Sequence, residues 1–198
     1  MAVITAQSPP MLSDEQLLSR FAAGDRQVLE DLFARYRAVA YQVAFRLLGQ
    51  EADALDAVQD GFIKALTHLR GFRGQSSFKT WLLRVVSNAA LDLGRKRGRR
   101  DSFSLNGSVD SDLDQYGQPP KEEDPGRELE RADLRRLLNE ALATLPEAQR
   151  QTFVLHADAE LSYREVAEVL GISIGTVMSR LFYARQKLRL YLAHTNQP

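Results

Sequence analysis

Hydrophobic residues recur every three or four positions through most of the chain, and no stretch alternates apolar with polar residues as a half-buried strand would. Leu17, Leu18 and Phe21 form the first stripe, and Ser13 followed by Gln16 is a capping box for the helix that carries it. Gly24 closes that helix and Asp25 caps the next, in which Val28, Leu32, Tyr36, Val39, Val43 and Leu47 mark an apolar face as far as Gly49. The spacing predicts a third helix from Ala52 to Leu69, with Leu55, Val58, Phe62, Ile63 and Leu66 facing inward. The sequence GFRGQSS then breaks the pattern, because its glycines and serines favour a loop. A fourth helix is predicted from Phe78 to Lys96, burying Trp81, Leu82, Val85, Val86, Ala89 and Leu93 and ending in the basic run RKRGRR.

The run DSFSLNGSVDSDLDQYGQPPKEEDPG that follows is rich in Gly, Pro, Ser and acids and too poor in apolar residues to bury. Helical spacing returns with Leu129, Leu134, Leu137, Leu138, Leu142 and Leu145, and Pro146 opens a further helix to His156. The pattern predicts an all-α fold: a flexible tail at 1–12, a helical domain at 13–100, a flexible acidic linker at 101–127 and a second helical domain at 128–194.

Charge sharpens this division. The net charge is zero, yet residues 1–100 carry 15 basic and 10 acidic side chains, residues 101–126 one and seven, and residues 127–198 10 and nine. The chain has no cysteine, which excludes disulfides and thiolate metal sites, and His68, His156 and His194 are too far apart in sequence to form a local ligand set. The N-terminal sequence does not read as a signal peptide, and no apolar run approaches the roughly 20 residues of a membrane span, so a soluble cytoplasmic protein is expected.

The stretch SYREVAEVLGISIGTVMSRLFYARQKLR holds two helices around a glycine, and its halves differ in charge. The first carries Glu165 and Glu168; the second, from Ile174 onward, carries Arg180, Arg185, Lys187 and Arg189 and no acid. A helix-turn-helix needs a small residue where the helices touch, a glycine in the turn and apolar residues that set the crossing. Ala167, Gly171 and Val177 meet those needs, with Val166, Leu170 and Ile172 beside them. Ser173 is placed to cap the second helix, which leaves Gly175, Thr176, Met178, Ser179 and Arg180 at its groove-facing end. This arrangement points to DNA.

Three runs, DALDAVQDGFIKAL, FRGQSSFKTWLLRVVSNAALDLGRKR and LPEAQRQTFVLHADAELSYREVAEVLGISIGTVMSRLFYARQKL, together resemble the extracytoplasmic-function sigma factors of bacterial RNA polymerase. The resemblance covers nearly all of the chain outside the tail and the linker. It implies a non-catalytic specificity subunit with no metal or cofactor. It also implies as partners core RNA polymerase, promoter DNA and an anti-sigma factor, without membrane insertion. The helix of Asp56, Gln59, Asp60 and Phe62 is expected on the clamp helices of the largest polymerase subunit, and the C-terminal domain on the flap of the second-largest.

The loop residues Phe72, Arg73, Gln75 and Ser76, with Lys79, Arg84 and Asn88, are expected to melt and read the proximal (−10) promoter element, and Arg95, Lys96 and Arg97 to hold phosphates. Ser173, Thr176, Met178, Ser179, Arg180, Tyr183, Arg185 and Lys187 are expected on the distal (−35) element. The chain departs from the family pattern at Leu55, Gly61, Leu66, Met178, Phe182 and Tyr183. Two other readings stand beside this one: a stand-alone helix-turn-helix regulator, and a helical carboxylate enzyme holding a metal on Asp53, Asp56 and Asp60.

Overall fold

In the computed structural model, which describes residues 12–101 and 125–195, every regular element is helical. The tail expected at 1–12 and the linker expected at 101–127 lie, apart from their ends, outside the described residues. The helices are α1 (Asp14–Ala22), α2 (Val28–Leu48), α3 (Glu51–His68), α4 (Phe78–Asp101), α5 (Pro125–Ala143), α6 (Glu147–Ala157), α7 (Tyr163–Leu170) and α8 (Ile174–Thr195). A 3-10 turn at Leu69–Gly71 follows α3. The chain divides into two compact units, Met1–Arg35 and Tyr36–Pro198, with the division inside α2.

In the first unit the expected capping box is present: Gln16 N donates to Ser13 Oγ, and Ser13 N donates to Gln16 Oε1 at 2.8 Å. Leu17, Val28, Leu32 and Phe33 are buried, and Arg35 is ion-paired to Asp14 while donating to the Leu12 carbonyl.

In the second unit, α3 and α4 pack along one another. The face of α3 that is buried is not the one its large apolar residues predict. Ala54, Ala57, Val58, Gly61 and Ala65 are buried, while Ile63 and Leu66, expected inward, are 54% and 42% exposed. Small residues at i, i+3, i+7 and i+11 let the two backbones approach closely, and that approach fixes the rotation of α3. A Cβ at Gly61 would lie 2.9 Å from Val86 Cγ2 and 3.0 Å from Val86 Cα.

α4 is buried over a wider arc than expected. Leu82, Val86 and Ala89 are inside as predicted, Trp81, Val85 and Leu93 are half-buried, and Leu83 and Ala90 are buried as well. Thr80 and Ser87 lie on the same second stripe and are also buried. α4 meets α7 as well as α3, and Thr80 Oγ1 donates to Glu165 Oε1 at 3.2 Å. Two polar residues in that stripe hid it from a reading based on hydrophobic spacing alone.

The C-terminal helices pack around α8, which contacts α5, α6 and α7. Leu142, Leu145, Val154, Leu155, Leu161, Val166, Val169, Val177 and Leu181 form their core, whereas Leu134 is exposed. α7 begins with a second capping box, Ser162 and Glu165, and ends at Gly171 with φ +64. That left-handed position suits glycine, so Gly171→Ala is expected to destabilise the fold by about 1–2 kcal/mol in chemical denaturation. A neutral result would mean that the turn adopts another conformation.

Arg46 near the end of α2 faces Asp158 after α6 at 3.8 Å and is hydrogen-bonded to Asn139 of α5. Gln42 Nε2 donates to the same Asp158 carboxylate at 3.2 Å. Burial, outweighing the attraction of its partner, pushes Asp158 up and Arg46 down, each towards its neutral form. The pair and Gln42 join α2, α5 and the end of α6.

Candidate functional site

Three surfaces carry the residues singled out in the sequence. On α3, burying the small-residue stripe turns Asp56, Gln59 and Asp60 into solvent, with the exposed Ile63 beside them and Asp60 paired to Lys64 at 2.7 Å. Phe62 is half-buried and so is not fully presented on that outer face. Acids around an exposed branched apolar side chain suit a basic protein surface with an apolar centre. Asp53, partly buried, is ion-paired to Arg97 of α4. Among the described residues no group of three or more His, Cys, Asp and Glu is placed to hold a metal ion.

The second surface is the 72–77 loop with the outer face of α4. Gly74 has φ +66, which turns the loop and leaves Arg73 and Gln75 exposed and Ser76 half-buried. Ser77 Oγ accepts from Thr80 N at 3.0 Å and so caps α4. The Phe72 ring packs against Phe78 and Trp81, with centroids 6.0 and 5.2 Å apart, and Phe78 packs on Tyr36 at 5.6 Å. Phe72 and Trp81 thus anchor the loop to the helix while each keeps part of its ring in solvent. Lys79 is half-buried; Arg84 and Asn88 are exposed one turn apart. Asn88 stands about 10 Å of helical rise beyond Trp81, so it does not share the loop's own cluster.

The basic end of α4 is less free than its sequence implies. Arg95 Nη2 donates to Glu147 Oε1 at 2.7 Å, and Arg97 is paired with Asp53, while Lys96 is exposed. The Arg95 pair is open to solvent, where such a contact contributes little to stability.

The third surface is the α7–α8 pair, whose axes bend by 103° across Gly171. Ala167 and Val177 are both buried where the helices meet, as the spacing predicts. Ser173 Oγ accepts from Thr176 N at 3.1 Å and caps α8. Gly175, Met178, Ser179, Tyr183, Arg185 and Lys187 are exposed, and Thr176 and Arg180 are half-buried. α8 has no acid over its whole length. A helix set across its support in this way, with an acid-free outer face, fits a major groove.

Glu165 ties the support helix together. Hydrogen bonds from Ser162, more than the opposing effect of burial, hold its carboxyl below the usual glutamate range, with Thr80 and Lys79 adding to the shift. A depressed carboxylate contributes stability that is complete above the ordinary glutamate pKa and is lost as pH falls through the depressed value. Urea unfolding of Glu165→Gln is therefore expected to show a shallower loss of stability between neutral and acid pH than the unaltered chain. Equal acid slopes would remove Glu165 from this role.

The chain matches the family descriptions Sigma-70 region 2 over residues 32–100 and Sigma-70, region 4 over residues 135–188. It is 32% identical over 176 residues to the RNA polymerase sigma-H factor of Pseudomonas aeruginosa, covering 88% of this chain and 91% of that protein. It is 33% identical over 178 residues to the ECF RNA polymerase sigma-E factor of Escherichia coli K12, covering 89% and 93%. Among solved structures it is similar to CnrH in complex with the cytosolic domain of CnrY, with TM-score 0.69 and 27% identity over 93% of this chain and 99% of that one. It is also similar to the sigma factor RpoE in complex with the anti-sigma factor NepR from Bartonella quintana, with TM-score 0.64 and 29% identity over 83% and 98%. With both sigma-70 regions in order on an all-helical fold, the chain belongs to the extracytoplasmic-function sigma factors, which direct promoter-specific initiation of transcription.

Proposed function

We propose that this chain joins core RNA polymerase through the outer face of α3 and brings two promoter-reading surfaces to the enzyme, supplying specificity while the polymerase supplies the chemistry. In this reading residues 13–100 form one functional module and residues 128–194 the other. Asp56, Gln59, Asp60 and Ile63 make the polymerase contact. The 72–77 loop, Arg84 and Asn88 engage the melted proximal element, and α8 engages the distal one. The carrying observation is that both sigma-70 regions are present, with Arg73, Gln75, Arg84 and Asn88 exposed on the first and Met178, Ser179, Tyr183, Arg185 and Lys187 exposed on the second. The similar chains solved with CnrY and with NepR support a regulatory protein partner for this chain too. Among the described residues no single helix is long and apolar enough to cross a membrane.

The experiment is transcription from fragmented genomic DNA of the source organism with core polymerase, with and without the chain. New discrete start sites preceded by two shared elements are expected. Binding of duplex DNA without any new start would favour a stand-alone regulator instead. On a promoter found this way, Asn88→Ala is expected to weaken use of the proximal element and Arg180→Ala use of the distal one. Each loss is about 1–3 kcal/mol per base contact, read as initiation on element variants. Equal activity of either variant on all element sequences would withdraw that residue from its role.

A further inference from the structure

On α8, Ile174, Met178 and Phe182 recur at i, i+4 and i+8, and all are exposed, Met178 at 54% and Phe182 at 64%. The buried line Val177, Leu181, Ala184 and Leu188 runs about a quarter-turn away on the same helix. Apolar side chains held this far out, in register, mark a surface that something covers. Arg185 and Arg189, seven and eleven residues on from Met178, continue the same face of a helix that has no acid, so its occupant is an anion that also presents apolar groups. Duplex DNA has both features: phosphates along its backbone, and the 5-methyl group of thymine in the major groove.

The hydroxyls at this end of α8 are engaged within the helix. Ser173 and Thr176 hydroxyls are 2.9 Å apart, and Ser179 Oγ donates to the Thr176 carbonyl at 3.0 Å. Met178 and Phe182 stand out beside them as the largest apolar groups. The Phe182 ring sits edge-on to Tyr183, with centroids 5.4 Å apart and planes at 79°, which limits its rotation. Resting on the sigma-factor reading, we propose that the Met178–Phe182 ridge reads thymine methyl groups, so that the distal element of this protein's promoters is specified by thymines at the positions the ridge faces. Guanine there has no methyl to offer and would need a cation that neither residue supplies.

Deoxyuridine pairs as thymine does and lacks only the methyl, which makes it the probe. Holoenzyme assembled from the full chain and core polymerase is placed on a promoter identified by start-site mapping, with each distal thymine replaced in turn by deoxyuridine. Open-complex formation is expected to fall at one or two positions by about fourfold each, the ratio equivalent to ~0.8 kcal/mol per buried methyl. Met178→Ser and Phe182→Ser should each become insensitive to deoxyuridine at one of those positions. Met178→Arg should move the preference there from thymine to guanine. Both positions are exposed, and unchanged helical content by circular dichroism separates a reading defect from unfolding.

A distal element without thymine, or deoxyuridine tolerated at every position, would overturn the proposal. So would serine variants that lose core polymerase in the absence of DNA, since the ridge would then be a protein-docking surface. Absence of any promoter-dependent start would sink the sigma-factor reading itself and the ridge with it.

Discussion

Leu181→Ala is expected to destabilise the C-terminal helices by about 2–5 kcal/mol, whereas Phe182→Ala, one residue on, should stay within about 0.5 kcal/mol of the unaltered chain. Leu181 is 1% exposed and Phe182 64% exposed, about 100° apart around α8. Truncating Leu181 removes its buried methyl groups and leaves a cavity where α8 packs on the neighbouring helices, in a core whose other members Val154, Val166 and Val177 are themselves fully buried. Because α8 is held by that core, its loss should also release the helix from its 103° bend against α7. Chemical denaturation of the two variants separates the effects. Similar losses for both would mean that α8 is rotated from the orientation described, and the thymine-reading ridge would fall as well.

Gly61→Ala is the second large effect, and its sign runs against helix propensity. Alanine in a helix interior is favoured over glycine by up to about 1 kcal/mol, so on local grounds the change should stabilise α3. The added Cβ would instead meet Val86 Cγ2 at 2.9 Å and Val86 Cα at 3.0 Å. A side chain could turn aside, but a backbone atom moves only if α3 and α4 separate, and overpacking of this kind costs about 1–3 kcal/mol. A lower melting temperature is therefore expected and, on the proposed contact of α3 with core polymerase, weaker assembly with it, because the outer face of α3 would shift. Gly98→Ala provides the comparison: a Cβ at Gly98 meets nothing within 4 Å, and that variant should melt at the same temperature or higher. If both substitutions raised the melting temperature, the close approach at Gly61 would be refuted.

The caps, turns and helical periods were written locally, and they appear where local rules put them. Ser13 with Gln16 starts α1, Gly171 stops α7, and Ser173 starts α8. The helix-turn-helix was equally legible, because Ala167, Gly171 and Val177 act within a single stretch of chain and their roles need no distant partner. Charge segregation singled out α8, because a row of cations without acids is visible in sequence wherever the helix packs.

What depended on neighbours far along the chain was not legible. Ile63 and Leu66 read as core residues, yet they face solvent, because a stripe of alanines and a glycine admitted α4 more closely than larger residues would. α4 buries a second stripe through Thr80 and Ser87, whose polarity conceals it until the partner Glu165 of Thr80 is seen. Arg95 and Arg97 read as open phosphate holders and instead have acids from distant segments, Glu147 and Asp53, as partners. The sequence by itself determined which segments are helical, where they start and stop, and which of them carries cations without acids. Only the tertiary structure decided which face of each helix remains outside, because that choice depends on how closely two helices approach, and closeness is a property of the pair.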